Sequence, residues 1–368
     1  MFPHGIGFER SLLEQCAAKQ VPISAALELL PLCNLKCKMC YARLSAEEMA
    51  RIGRLRTAQE WLSLAKEMKD EGVLFVLLTG GEPLLYQPFR EVYLGLQRMG
   101  MLVTINTNGT LLDEQWADFF AQNPPRSIHV TLYGADAQTY GSLCGRPDCF
   151  EKTIHAMKLL KERNVSVRVN INAVKTNAAS LQEMLEICKE LDTLATVDTY
   201  MLPSKQEQGL PVEQQARLSP VRAAQAQRLV RMTRLEPQSY RQMITNMLYQ
   251  TQEEANHSRE MRCHAGRCTL AVSWQGKLQP CVVLSAPSAD VFQDGFASAW
   301  KRIVQQKKKI LLSEKCAKCR LLPLCRVCPA ASLLEEGSFD AAPRYLCEYT
   351  RESVALMLAD LKHMANQQ

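Results

Sequence analysis

The run Cys33-Asn-Leu-Lys-Cys37-Lys-Met-Cys40-Tyr41 sets three cysteines close enough together to act from a single loop. Three thiolates from one loop can hold three corners of a four-iron cluster and leave the fourth iron without a protein ligand. That iron is then open to a small molecule and can pass on an electron. Structural zinc wants four ligands, and no fourth lies near this run, so the spacing favours a cluster. A second run, Thr79-Gly80-Gly81-Glu82-Pro83, pairs glycines that let backbone approach a ligand with a carboxylate able to accept from an ammonium group. Alone, a Gly-Gly-x-Pro sequence is often only a turn.

The last third holds eight more cysteines: Cys263, Cys268, Cys281, Cys316, Cys319, Cys325, Cys328 and Cys347. Eight thiolates suffice for two fully ligated four-iron clusters or for two zinc sites, and spacing alone leaves both open. Of the remaining four, Cys188 sits in a helical pattern and reads as core, as does Cys16, whereas Cys144 and Cys149 flank Arg146.

These residues need a frame, and the chain supplies one. Strand-like runs at Ala25 to Leu30, Val73 to Leu78, Leu102 to Asn106, Ser127 to Leu132, Val165 to Ala173 and Thr196 to Met201 alternate with helical patterns. The helices are expected near Thr57 to Glu71, Phe89 to Met99, Asp113 to Ala121, Phe150 to Arg163 and Leu181 to Leu191. Alternation of this kind predicts a parallel sheet with crossover helices. Six units fall short of a closed eight-stranded barrel, so the fold class is α/β, a partial (β/α)6 TIM-like barrel. Both chemical runs follow strands directly, at the carboxyl ends where barrels place their active sites. The expected divisions are 1–205 for the barrel, 206–262 for a helical connector opened by Ser219 and Pro220, and 263–368 for a small cysteine-rich domain.

At 368 residues, 47% hydrophobic and 22% charged, the chain reads as an ordinary folded protein of about two domains. The net charge of +6 is widely spread, and the densest basic run, Lys307, Lys308 and Lys309, reads as a solvated helix face. No nucleic-acid motif, signal peptide or membrane-spanning run is present, which predicts a cytoplasmic protein with no nucleic-acid or membrane partner. Fifteen cysteines in such a chain point to metal or redox chemistry rather than disulfides.

The CxxxCxxC loop followed by Gly-Gly-Glu-Pro resembles the radical S-adenosylmethionine (SAM) superfamily. The resemblance implies that Cys33, Cys37 and Cys40 ligate a catalytic [4Fe-4S] cluster, with Tyr41 as the aromatic beside it. It implies that Gly80, Gly81 and Glu82 meet SAM, Glu82 at its amino group. Thr131, in Thr-Leu-Tyr-Gly where relatives often have Ser-x-Asp-Gly, and Arg146 would bind SAM as well, and Asn106 would line the same pocket or cap a turn. The order of the C-terminal cysteines resembles the SPASM domain. That implies one auxiliary [4Fe-4S] cluster on Cys263, Cys268, Cys281 and Cys328 and another on Cys316, Cys319, Cys325 and Cys347, three clusters in all. Cys268 follows Cys263 closely for that pattern; without it, the first auxiliary cluster would have an open iron able to hold a substrate thiolate.

The resemblance implies an enzyme that cleaves SAM to a 5'-deoxyadenosyl radical and abstracts hydrogen from a ribosomally made peptide, forming a crosslink, an epimer or an oxidised side chain. An external one-electron reductant such as flavodoxin or ferredoxin is expected. About 25 residues precede the first strand, too few for a leader-binding domain, so a separate leader-binding protein or the barrel itself would recognise the peptide. A formylglycine-forming sulfatase-maturating enzyme is a rival, but the aspartate base expected after Pro280-Cys281 is replaced by Val282. A small-molecule or sugar dehydrogenase, and a zinc or iron-sulfur scaffold or electron carrier, are further alternatives.

Overall fold

The computed structural model describes residues 7–204, 207–251 and 257–366, so the expected boundary at 205/206 lies outside the described residues. Six parallel strands form the barrel: β1 (Ser24–Glu28), β2 (Phe75–Thr79), β3 (Leu102–Thr107), β4 (Ser127–Thr131), β5 (Val167–Asn172) and β6 (Leu194–Asp198). All six expected strands are present, each within a few residues of its predicted span. Three short strands follow, β7 (Thr269–Val272), β8 (Lys277–Gln279) and β9 (Ala289–Asp290). The sheet runs β6-β5-β4-β3-β2-β1-β7-β8-β9. The cysteine-rich region therefore does not stand apart: β7 pairs in parallel with β1, Ser24 opposite Thr269.

The two faces of the barrel sheet differ sharply. Ile105, Ile128 and Val167 stand in register, as do Val130 and Val169, and all are buried in one apolar core. One residue out of step, Asn106, His129 and Arg168 line up, then Thr131, Asn170 and Thr196, then Asn172 and Asp198. Residues in register share a face, so the strands are apolar toward the helices and polar toward the lumen. A small barrel whose interior were only packing would fill it with branched apolar side chains; this one keeps a polar lumen suited to a polar ligand.

The five expected helices form, among them Ala58–Asp70, whose Thr57 caps it in a box with Glu60, and Leu181–Glu190. Gly7–Lys19, Ala46–Ile52 and Ala137–Cys144 were not anticipated. The first lies against the end of the barrel where the strands begin. Its Glu9 pairs with Arg126 at 2.6 Å, and its Leu13, Cys16 and Ala17 pack on Ile23 and Phe75. The connector is helical as expected, Pro220–Arg234 and Pro237–Tyr249, with the Ser219 hydroxyl accepting from Arg222 N–H. It packs on the long final helix Arg344–Asn366, where Arg228 and Tyr240 both donate to Asp360.

The basic run behaves differently from its expected role. Helix Phe296–Lys307 ends at Lys307, whose stem is buried against Gly266, while Lys308 and Lys309 are exposed.

Candidate active site and cluster sites

The loop bearing Cys33, Cys37 and Cys40 leaves the carboxyl end of β1, and other elements hold it from three sides. Asn108 donates to Asn34 Oδ1 at 2.9 Å and reaches Cys33 Sγ at 3.7 Å, while Asn34 donates to Thr110 Oγ1 at 2.8 Å. From helix Ala137–Cys144, the carbonyls of Leu143 and Cys144 accept from Lys38 and Lys36 N–H, both at 3.0 Å. Backbone N–H groups of Leu35 and Arg43 point at Cys33 and Cys40 sulfurs, each at 3.4 Å.

These surroundings favour thiolate at one position especially. The Cys144 thiol and the Tyr133 hydroxyl donate toward Cys37, which holds its thiol below the usual range, while burial pushes Cys33 up to about 12 and Cys40 upward. Cys144 and Tyr133 come from the far side of the barrel; the only sequence hint was the place of Cys144 beside Arg146 and of Tyr133 in the Thr131 run.

Glu82, expected at the amine of a ligand, is already engaged by the protein itself. Its side chain is fully buried, Oε1 accepting from Leu84 N–H and the Thr107 hydroxyl, Oε2 from Asn108 N–H. Burial lifts this carboxyl to about 7, and the three donors pull against that rise. The carboxylate thus ties the end of β2 to the end of β3. The glycines before it answer a crowding of backbone: a Cβ on Gly80 would lie 2.3 Å from the Leu30 carbonyl oxygen, and one on Gly81 2.2 Å from that of Leu32. Gly80 also has φ of +142°.

Arg146 is engaged elsewhere too. It is about half exposed and makes a two-pronged bond to Asp148, Nε to Oδ1 and Nη2 to Oδ2, both at 2.8 Å. Thr131 ends β4 opposite Asn170, on the lumen face. Asn106 carries a buried carboxamide oxygen with no hydrogen-bond partner. An unpaired buried oxygen costs about 1–3 kcal/mol, which a donor on a ligand in the lumen would remove. Tyr41 is 40% exposed, yet its hydroxyl is walled in; burial and then the charges of Glu28, Cys40 and Cys281 hold it protonated. Tyr41 thus adjoins the barrel's cysteine loop and lies within electrostatic reach of Cys281.

The C-terminal cysteines fall into two groups with one left over. Cys316, Cys319, Cys325 and Cys347 line a single small cavity of about 60 Å³ with Leu321, Leu322, Ala342 and Thr350. Cys263, Cys281 and Cys328 lie within electrostatic reach of one another. Cys268 joins neither. It is fully buried among Leu13, Cys16, Ala17, Ile23 and Phe75, its thiol donating to the Leu13 carbonyl at 3.5 Å. Its backbone explains why: the Cys268 carbonyl accepts from Ile23 and Ser24 N–H, pinning it where β1 and β7 begin pairing. Among the described residues no three His, Cys, Asp or Glu side chains converge on a single-ion position. A cuboidal cluster holds its thiolates farther apart than one ion does, so four cysteines round one cavity suit it.

Residues 27–191 match the family described as Radical SAM superfamily. An AdoMet-dependent heme synthase of Methanosarcina barkeri (strain Fusaro / DSM 804) is 24% identical over 88% of this chain and 95% of its own length. The antilisterial bacteriocin subtilosin biosynthesis protein AlbA of Bacillus subtilis (strain 168) is 23% identical over 76% of this chain and 59% of its own. The crystal structure of Streptococcus suis SuiB bound to precursor peptide SuiA superposes with a TM-score of 0.69 at 19% identity, covering 92% of this chain and 80% of that one. No described helix is long and apolar enough to cross a membrane.

Proposed function

Because the chain belongs to the radical SAM superfamily, we propose that this enzyme acts on a side chain or Cα of a ribosomally made peptide, with three [4Fe-4S] clusters. Cys33, Cys37 and Cys40 would hold the catalytic cluster, which would supply the electron needed for reductive cleavage of SAM and so for hydrogen abstraction from the substrate. The observation that carries the reading is the cysteine loop at the carboxyl end of β1, opening on a polar lumen.

Each residue of the chain has a part that does not depend on the identity of the peptide. Asn108, Asn34 and Thr110 fix the loop, and Cys144 and Tyr133 donate toward the Cys37 sulfur, favouring its ligating form. Glu82 holds β2 and β3 at the spacing the pocket needs. Asn106 and Thr131 offer polar groups from the lumen wall, Gly80 and Gly81 their backbone; Arg146 is assigned no contact. Tyr41 shields the space between the loop and Cys281. Cys263, Cys281 and Cys328 would hold one auxiliary cluster and Cys316, Cys319, Cys325 and Cys347 the other, electrons entering from a flavodoxin or ferredoxin.

Peptide as substrate is supported by relatives such as AlbA and by the fold shared with SuiB, whose structure holds a precursor peptide. A second reading, chemistry of the heme-synthase kind, is favoured by the length of that match, which spans nearly the whole of both chains. Anoxically reconstituted protein should contain about twelve irons and form 5'-deoxyadenosine after dithionite reduction. A mass change in a short peptide encoded beside this chain would establish the first reading. Formation of heme, with every such peptide unchanged, would establish the second; zinc in place of iron and no SAM cleavage would overturn both.

A further inference from the structure

Asn108, just past the end of β3, has every one of its polar groups committed, and those commitments decide which way its amide points. Thr110 donates twice to Asn108 Oδ1, from its N–H at 2.9 Å and its hydroxyl at 2.7 Å. The Thr110 hydroxyl accepts from Asn34 Nδ2 at 2.8 Å, and Asn34 Oδ1 accepts from Asn108 Nδ2 at 2.9 Å, which closes a ring of three side chains. Turned over, the Asn108 amide would set its nitrogen against the Thr110 N–H and its oxygen against Asn34 Oδ1, so the orientation is fixed. One N–H of Nδ2 serves the ring, and the other is left for Cys33 Sγ at 3.7 Å. The backbone is held as well, its N–H donating to Glu82 Oε2 at 2.8 Å and its carbonyl accepting from the Thr153 hydroxyl at 3.2 Å. Asn108 is only 4% exposed, so water does not compete for that N–H.

We propose that Asn108 is a positioning residue that raises the reduction potential of the catalytic cluster through its N–H on Cys33 Sγ, so that a weaker one-electron reductant suffices. This rests on the reading of Cys33, Cys37 and Cys40 as that cluster's ligands. Reduction adds one negative charge, part of which lies on the sulfurs, and a donor aimed at a sulfur favours the reduced state over the oxidised one. The step is the gain of one electron from the external reductant; no bond forms or breaks, and Asn108 keeps its protons. Leu35 N–H also reaches Cys33 Sγ, at 3.4 Å, but it belongs to the loop itself, whereas Asn108 brings its donor from β3.

The test is an EPR-monitored redox titration of the anoxically reconstituted full chain, the catalytic cluster's signal being the one that Cys33→Ala, Cys37→Ala and Cys40→Ala together remove. Asn108→Leu takes away the donor but keeps the backbone bonds to Glu82 and Thr153. At a fixed solution potential its ratio of reduced to oxidised catalytic cluster should fall about tenfold, the loss of one hydrogen bond to a charged group, or about 59 mV for one electron. Asn34→Ala breaks the ring and leaves Asn108 its N–H, so it should lower the ratio far less. An unchanged ratio in an Asn108→Leu protein with full iron content would overturn the proposal. Equal falls in the two variants would overturn it too, since the packing of the loop, rather than the donor, would then set the potential. Should Asn108→Leu lose the cluster, pulsed EPR of the unsubstituted protein, its asparagine side chains labelled with heavy nitrogen, decides: a nitrogen coupling on the catalytic cluster's signal is expected, and its absence refutes the contact. If the three cysteine substitutions remove no cluster, the ligand reading itself fails and the proposal with it.

Discussion

At the scale of single residues, the lumen wall offers the cleanest measurements. Replacing Asn106 by alanine removes a buried oxygen that has no partner, so thermal stability should hold or rise slightly. SAM affinity, read by equilibrium dialysis, should fall about tenfold, the loss of roughly one hydrogen bond. His129 gives a pH signature. Burial, with Arg168 and Arg126 nearby, pushes its imidazole down to about 4, so the folded protein keeps it neutral while the unfolded chain takes up a proton near its ordinary 6.5. The unfolded state therefore binds more protons below 6.5, and this residue's share of stability is lost as pH falls from 6.5 toward 4. Urea titrations of His129→Gln should show a flatter dependence over that window, by about 2 kcal/mol. The candidate ligand cysteines of the first loop were legible because three from one loop announce themselves by spacing. The duties of Glu82 and Cys268 were not, because each is decided by neighbours distant in sequence, Thr107 and Asn108 for the first and Leu13 with Ile23 for the second, while that of Arg146 turns on Asp148. Only Asp148 stands close by, and an Arg-x-Asp pair carries no sign of which way it turns.

At the scale of elements, the barrel strands could be read because their apolar runs are bounded by turn residues, and the helices because their apolar positions recur at helical spacing. Helix Ala46–Ile52 escaped notice because it has no buried residue to set a pattern, although Ser45 and Glu48 form a capping box. Helix Gly7–Lys19 has only Leu13, Cys16 and Ala17 buried, too narrow a stripe to stand out. The connector and the final helix are held by one carboxylate: Asp360 accepts from Arg228 Nη2 at 2.6 Å and Nε at 2.8 Å and from the Tyr240 hydroxyl at 2.6 Å. Asp360→Asn keeps the shape but removes the charge and turns a donor toward one of these donors. It should cost about 2 kcal/mol in chemical denaturation, with iron content unchanged.

At the scale of the whole molecule, the cysteine-rich region is joined to the barrel through the sheet and to the connector through a buried ion pair. Arg217 stacks over Tyr345 at 4.2 Å and donates to Glu335 at 2.6 Å, and the side chains of both charged residues are less than a tenth exposed. Glu335→Ala would leave a buried guanidinium uncompensated and should cost about 3–5 kcal/mol in thermal unfolding; Arg217→Met with Glu335→Leu should cost much less. The union of barrel and cluster region was the least legible feature, since cysteine density gives no sign of a shared sheet. That sheet also dictates an order of events during synthesis. β1 leaves the ribosome well before its second neighbour, β7, which lies beyond residue 268. Until then the hydrogen-bonding groups along one side of Ser24–Leu27 have no partner, as happens at any unprotected sheet edge. Pairing so distant in sequence is slow to form. The nascent chain therefore carries an adhesive margin until β7 emerges, and a stalled or truncated product ending before β7 would be a substrate for chaperones rather than a smaller working barrel.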